Sequence, residues 1–213
     1  MESRAGTPRV RKRPEERREE ILSAAAEIAI DEGLERITLR AVATRLGVRP
    51  GLISHYFPAA EDLVDEAFAR AAEIERERFF PTEGTPLARL SHFITHIQTG
   101  TSTPLARLWL NARHLSRFTP TLEATLREQD ALDRARLREI IAAGIATGDF
   151  ADVDPEAASI RILIAVDGSG SYVNSTADLS TPVQANFVAD VTEWTLGLAP
   201  GTVAGGVGSS RPL

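Results

Sequence analysis

Apolar residues return every three or four positions in one segment of this chain after another, which is the period of an amphipathic helix and not the alternation of a strand. Ile21, Leu22, Ala25, Ile28 and Ala29 make one such face. Pro14 suits its first position, the acids Glu15, Glu16, Glu19 and Glu20 favour its N-terminus, and Gly33 ends it. Thr38 is a good N-cap for a short helix that turns Leu39, Val42, Ala43 and Leu46 inward, and Gly47 permits a left-handed turn. A second short helix follows, from about Arg49 or Pro50 to Tyr56. From Glu61 to Phe80 the apolar positions are Leu63, Ala67, Phe68, Ala71 and Ile74, closed by Pro81. Five further starts pair a small polar cap with proline: Thr85-Pro86, Thr103-Pro104, Thr119-Pro120, Asp154-Pro155 and Thr181-Pro182. The last two helices, Glu156 to about Tyr172 and Val183 to Leu198, are unusually apolar. The expected fold is all-α.

Charge divides the chain more sharply than the net value of -6 suggests. Residues 1–60 hold eleven basic and nine acidic side chains, and the rest hold thirteen and twenty-one. Arg36 to Ala60 carries four arginines, one histidine and no carboxylate, so any polyanion binds at this end. There is no cysteine, which excludes a disulfide framework and thiolate metal sites. The N-terminus has the basic cluster Arg9, Arg11, Lys12 and Arg13 but no apolar run behind it, unlike a signal peptide. The longest apolar run, Ile160 to Val166, contains Arg161 and stops at Asp167, far short of a membrane span. No catalytic motif of the G-x-S-x-G or H-E-x-x-H kind is present, so an enzyme is not expected.

Thr38 to Phe57, TLRAVATRLGVRPGLISHYF, combines a capped helix, a Gly-Val turn and a second helix with few apolar positions. That is the pattern of a helix-turn-helix, in which the first helix braces the second and the exposed side chains of the second enter a major groove. Leu39, Val42, Ala43, Leu46, Val48 and Ile53 would form its small core. Arg40, Arg49, Pro50, Gly51, Ser54, His55 and Tyr56 would be left facing outward.

Ile37-Thr38-Leu39-Arg40, Ala43, Leu46-Gly47-Val48 and His55-Tyr56-Phe57 followed by Glu61-Asp62-Leu63 resemble the DNA-binding domain of TetR-family regulators over about residues 15–75. The string Gly51 to Phe57 is similar to the branch of choline-responsive BetI repressors. So are Trp109, Leu115-Ser116-Arg117, Asp133-Arg134, Asp154 to Ala158 and Val166-Asp167-Gly168. The resemblance implies a repressor released by a small molecule from a pseudo-palindromic operator in double-stranded DNA. It also implies a homodimer joined through helices at about 156–172 and 183–198, and a cytoplasmic location. Thr38 and Arg40 fall where the family contacts phosphate or a base edge, Arg49, Pro50, Gly51 and Ser54 where bases are read, and His55 and Tyr56 where phosphates are held. Pro58-Ala59-Ala60 departs from the pattern by offering no cation after Phe57, and the basic arm is a candidate to replace it.

The domain organisation expected from these readings is a basic flexible arm (1–14), a helix-turn-helix domain (15–75), a helical ligand-binding and dimerisation domain (76–199) and a disordered Gly- and Ser-rich tail (200–213). Candidate ligand residues are Trp109, Asn111, Arg113, His114 and Phe118, which mix aromatic bodies with polar groups as a binding pocket does. Asp167 joins them. Placed after an apolar run, its carboxylate orients a cationic ligand, pairs with an arginine or lies at an exposed edge. His92 and His96 have the spacing of two metal ligands but lack a third, so neither a metal nor a cofactor is expected. The effector itself is not legible.

Overall fold

The computed structural model describes residues 13–99, 103–174 and 181–203, and among these every regular element is helical. The helices are α1 (Pro14–Asp31), α2 (Leu39–Leu46), α3 (Pro50–Tyr56), α4 (Ala60–Phe79), α5 (Pro86–Gln98), α6 (Thr103–Leu115), α7 (Pro120–Thr147), α8 (Pro155–Gly170) and α9 (Pro182–Leu196). A one-turn 3-10 helix, Leu34–Arg36, lies between α1 and α2. The cap-and-proline pairs start helices at all five positions. Thr85, Asp154 and Thr181 accept backbone N–H bonds from Ala88, Glu156 and Gln184, and Thr119 is an N-cap without a side-chain bond. Thr103 is already helical.

α1 to α3 form a small head on the N-terminal half of α4. Ile21, Ala25 and Ile28 of α1 meet Leu63, Ala67 and Phe68 of α4, all at most 2% exposed. Val42, Ala43, Ile53 and Phe57 complete this core, with Leu39, Leu46 and Val48 half-buried around it. The turn between α2 and α3 depends on Gly47 at φ 63°, whose left-handed backbone lets Val48 N–H reach Ala43 O at 2.9 Å.

The second layer is organised by α7, which packs on α4, α5, α6 and α8. Its buried stripe is Leu122, Leu126, Gln129, Leu137, Ile140, Ile141 and Gly144. Phe150 turns back after the helix and lays its ring where a Gly144 side chain would be. α8 packs on α9, and together they present Ile164, Val183, Phe187 and Trp194 outward; Trp194 is 72% exposed.

The start of the C-terminal tail is built into the fold, unlike the disordered tail expected from Pro200. Glu193, itself buried, accepts backbone N–H bonds from Gly201 and Val203, both at 2.9 Å. Val203 is fully buried. A carboxylate with two amide donors satisfies its charge without solvent, and the chain wraps the end of α9 to provide them. Residues 204–213, and the arm residues Arg9, Arg11 and Lys12, lie outside the described residues.

Candidate nucleic-acid interface and candidate ligand cavity

α3 is short because only one of its residues, Ile53, is fully buried; the helix is an outward-facing rod held by α2 and the head core. Pro50 occupies its first turn and Arg49 its N-cap. Arg40, Arg49, Pro50, Gly51, Ser54 and His55 are exposed, and Tyr56 is half-buried with its ring edge-on to His55 at 5.3 Å between centroids. Thr38 is exposed, but its hydroxyl oxygen is engaged as the α2 cap, accepting the Ala41 N–H at 3.0 Å. Ser54 Oγ donates to Gly51 O at 3.3 Å.

The arginines of this surface fall into two groups. Arg45 is held by Glu27, Asp31 and Glu32 at 3.0–3.4 Å, which ties α2 to the end of α1. Arg36, Arg40 and Arg49 have no carboxylate partner among the described residues. Next to the exposed end of α3 this leaves positive charge that no carboxylate among the described residues neutralises. Gly51 adds a second signal. Its φ is ordinary, and a side chain there would meet nothing within 4 Å, so the fold itself does not require glycine. Glycine inside a helix costs about 1 kcal/mol relative to alanine, a cost that makes sense where something outside must approach the backbone closely. Of the arm, Arg13 is the first described residue and pairs with Glu16. Arg18 pairs with Glu66 and lies 4.8 Å from the Phe57 ring centroid.

The second feature is a cavity of about 770 Å³ between α5, α6, α7 and α8, within the usual size of small-molecule sites. Aromatic and aliphatic side chains make most of it, including Phe79, Phe80, Phe93, Leu105, Leu110 and Leu163. One end is charged. Arg113 donates to both oxygens of Asp130 at 3.2 Å and to Asp167 Oδ2 at 2.8 Å. Beside this cluster Asp133 Oδ1 accepts from Arg76 Nε, and Arg76 also donates to Gln129 Oε1 at 2.7 Å. Burial pushes the Asp133 carboxyl up to about 6, an effect that Arg76 opposes but does not cancel. Burial also raises Asp167, against the pull of Arg113.

Of the ligand residues anticipated from sequence, the structure brings Trp109, Arg113 and Asp167 together on this cavity. Trp109 is edge-on to Phe68 at 5.2 Å, and the Arg113 guanidinium lies 5.4 Å from its ring centroid. Asn111, His114 and Phe118 are elsewhere. Residues 106, 109, 110 and 113 share one helix face, and the 100° step per residue turns 111 and 114 away from it. Asn111 instead faces the head, where its Oδ1 accepts the buried Leu34 N–H at 2.7 Å. His114 and Phe118 are exposed and meet edge-on at 5.9 Å between ring centroids, with Arg117 over the Phe118 ring. Asp167 pairs with Arg113 and is also half exposed, so two of its three alternatives hold together. His92 bonds the Arg78 carbonyl at 2.8 Å and stacks on His96, and no group of metal-binding side chains is present among the described residues.

Sequence reasoning missed Asp130 and Asp133 as cavity residues, and Arg76 as the partner that holds Asp133 from behind. The signal was present: Gln129 and Asp133 interrupt the apolar stripe Leu122, Leu126, Leu137, Ile140, and Arg76 interrupts Ala72 and Phe79. Polar residues in a buried stripe are placed there to meet each other or a ligand.

Comparison with known proteins agrees with this geometry. Residues 21–67 match the family model described as bacterial regulatory proteins, tetR family. The matched residues lie in the head, from α1 into α4. The repressor KstR of Mycolicibacterium smegmatis is 37% identical over 82 residues, 37% of this chain and 40% of that protein. KstR of Rhodococcus jostii is 36% identical over 83 residues, 38% of this chain and 39% of the protein. The chain therefore aligns with about two fifths of these curated relatives. Solved structures extend the likeness of fold. A TetR-family regulator from Rhodococcus sp. has a TM-score of 0.73 at 20% identity, covering 85% of this chain and 99% of its own. A regulator from Saccharomonospora viridis in complex with choline has a TM-score of 0.70 at 20% identity, covering 85% and 98%. FadR from Bacillus subtilis in complex with stearoyl-CoA has 0.62 at 21% identity, covering 84% and 97%.

Proposed function

We propose that this chain is a homodimeric transcriptional repressor that reads a pseudo-palindromic operator with α3 and leaves it when a small molecule fills the cavity. The observation that carries the reading is the exposed face of α3, flanked by Arg40 and Arg49 with no acidic partner, in a segment matching the tetR family model. Arg49, Pro50, Gly51 and Ser54 read base edges, and Thr38, Arg40, His55 and Tyr56 hold the backbone. Because the Thr38 hydroxyl oxygen caps α2, its contribution comes from the O–H it can still donate. The organisation supported is a head ending near residue 75, a ligand and dimer domain to 199, and a basic arm as an accessory phosphate contact. A cytoplasmic site of action fits, and no described helix is long and apolar enough to cross a membrane.

A second copy covers the outward face of α8 and α9, where Val183, Phe187 and Trp194 lie at helical spacing and are 74%, 40% and 72% exposed. Two heads related by a dyad then demand an operator with the same symmetry. α6 supplies the connection between cavity and head, since Trp109 and Arg113 line the cavity while Asn111 of the same helix holds Leu34. The finer likeness to BetI repressors rests on the string Gly51 to Phe57. Two curated repressors with which the chain aligns are both KstR.

Selecting DNA from a genomic library with the purified protein tests the reading. An enriched palindrome is expected, with Arg49→Ala relaxing one operator position at a cost of about 1–3 kcal/mol and Tyr56→Phe weakening all sequences alike. Absence of enrichment overturns it. Light scattering should give twice 23.1 kDa for the free protein and a lower mass for Trp194→Glu.

A further inference from the structure

We propose that the cavity takes an apolar molecule ending in a protonated amine, with the ammonium seated between Asp133 and Asp167. This rests on the cavity being the effector site. Its charged lining is Arg113, Asp130, Asp133 and Asp167, and the next guanidinium behind it is Arg76. Three carboxylates face two guanidiniums, so the end of a mostly apolar cavity carries one negative charge in excess, with Asp130 and Asp167 partly open to solvent. A cation entering from the apolar side would meet this excess charge where the surrounding apolar walls weaken screening.

The hydrogen bonds decide the sign of the partner. Both terminal nitrogens of Arg113 are engaged, Nη1 by Asp130 and Nη2 by Asp130 and Asp167. An anionic headgroup would have to break these bonds and then face all three aspartates. Arg76 points the other way, bridging Asp133 Oδ1 and Gln129. Among the described residues Arg76 is the hydrogen-bond partner of Asp133, through Oδ1 alone, and Asp167 is bonded through Oδ2 alone. The second oxygen of each is an acceptor for a donor with charge. The upward displacement of both carboxyls by burial points the same way, to negative charge awaiting a cation.

The aromatic rings separate amines from quaternary ammonium ions. Phe80 stacks on Phe93 at 4.8 Å, Phe79 meets Phe93 edge-on, and the Trp109 ring carries Arg113. The rings are spent on one another and on the guanidinium, so no open cage of ring faces surrounds the acidic end. Carboxylate oxygens with free lone pairs reward N–H donors, which a primary or secondary ammonium has and a quaternary one lacks.

The experiment titrates the full-length protein with octylamine, octyltrimethylammonium and octanoate at pH 7.5, reading heat and Trp fluorescence. Octylamine should bind once per chain, more tightly than the quaternary analogue, and octanoate should not bind. Asp133→Asn and Asp167→Asn should each loosen octylamine by about tenfold. Asp167→Asn, half exposed, keeps the test decisive where Asp133→Asn loosens the α4–α7 contact. Unchanged affinity in both variants overturns the proposal, as does tighter binding of the quaternary ion. Release of operator DNA by octanoate but not by octylamine overturns the amine class and leaves the cavity as effector site. Failure of all three probes to bind overturns both.

Discussion

Removing the Asn111 side chain should unfasten the head from the cavity-bearing helix. Leu34 is 1% exposed, and its N–H has Asn111 Oδ1 as its acceptor at 2.7 Å, across 77 residues of chain. The Leu34–Arg36 turn begins at this N–H, so no intrahelical carbonyl is placed to replace the lost partner. A buried donor left unpaired costs about 1–3 kcal/mol, more than the bond itself contributes when both partners have water as the alternative. At about 2–4 °C per kcal/mol for a chain of this size, Asn111→Ala should lower the thermal midpoint by about 2–12 °C. Asn111→Asp keeps an acceptor oxygen and should retain most of that stability. Urea titrations of the three proteins at one protein concentration measure the difference, since a dimer's midpoint moves with concentration. Operator release by effector should also become less complete in the alanine variant, because one link between α6 and the head is gone. A loss below about 0.5 kcal/mol, or an equal loss with aspartate, would refute the role assigned to this bond.

Gly144→Ala should destabilise despite the better helix propensity of alanine. The new methyl would lie 2.1–2.8 Å from Phe150 ring atoms, and overpacking of about 1–3 kcal/mol outweighs a helix gain of at most about 1 kcal/mol. Phe150→Leu in the same chain should recover part of the loss, and a more stable single variant in calorimetry would contradict the packing described. The Asp133 carboxyl, raised to about 6, predicts a pH dependence. A native pKa above the unfolded value means that the folded state holds the extra proton, so its contribution is complete below about pH 4 and lost as pH rises through 6. The stability of the native protein relative to Asp133→Asn should fall by about 2–3 kcal/mol between pH 4 and 7, with Arg76, Arg113, Asp130 and Asp167 as the charges that face the group. A difference that is flat or rises with pH would show that the carboxyl is not held high.

Local chemistry determined most of the fold and the exposure of Arg40, Arg49, Pro50, Gly51, Ser54 and His55, whereas Tyr56, expected to face outward, is half-buried against the head core. The cap-and-proline pairs start helices because a polar side chain and a fixed φ act within four residues, and Gly47 makes its turn for an equally local reason. The exposed row on α3 followed from the same periodicity, since only Ile53 was needed inside. What the tertiary structure alone decided is which helices meet. Asn111 and Trp109 are two residues apart and looked like one cluster, yet α6 is packed on both sides, so one faces Leu34 and the other the cavity. The cavity's acidic end joins Arg113 of α6, Asp130 and Asp133 of α7, and Asp167 of α8, with Arg76 of α4 holding Asp133 from behind. No periodicity within a single helix reports such a meeting, because it depends on the crossing of four of them. The order of Val203 has the same origin. A Gly-rich tail carries no local preference for structure, and it was the buried carboxylate of Glu193 that needed those two amides.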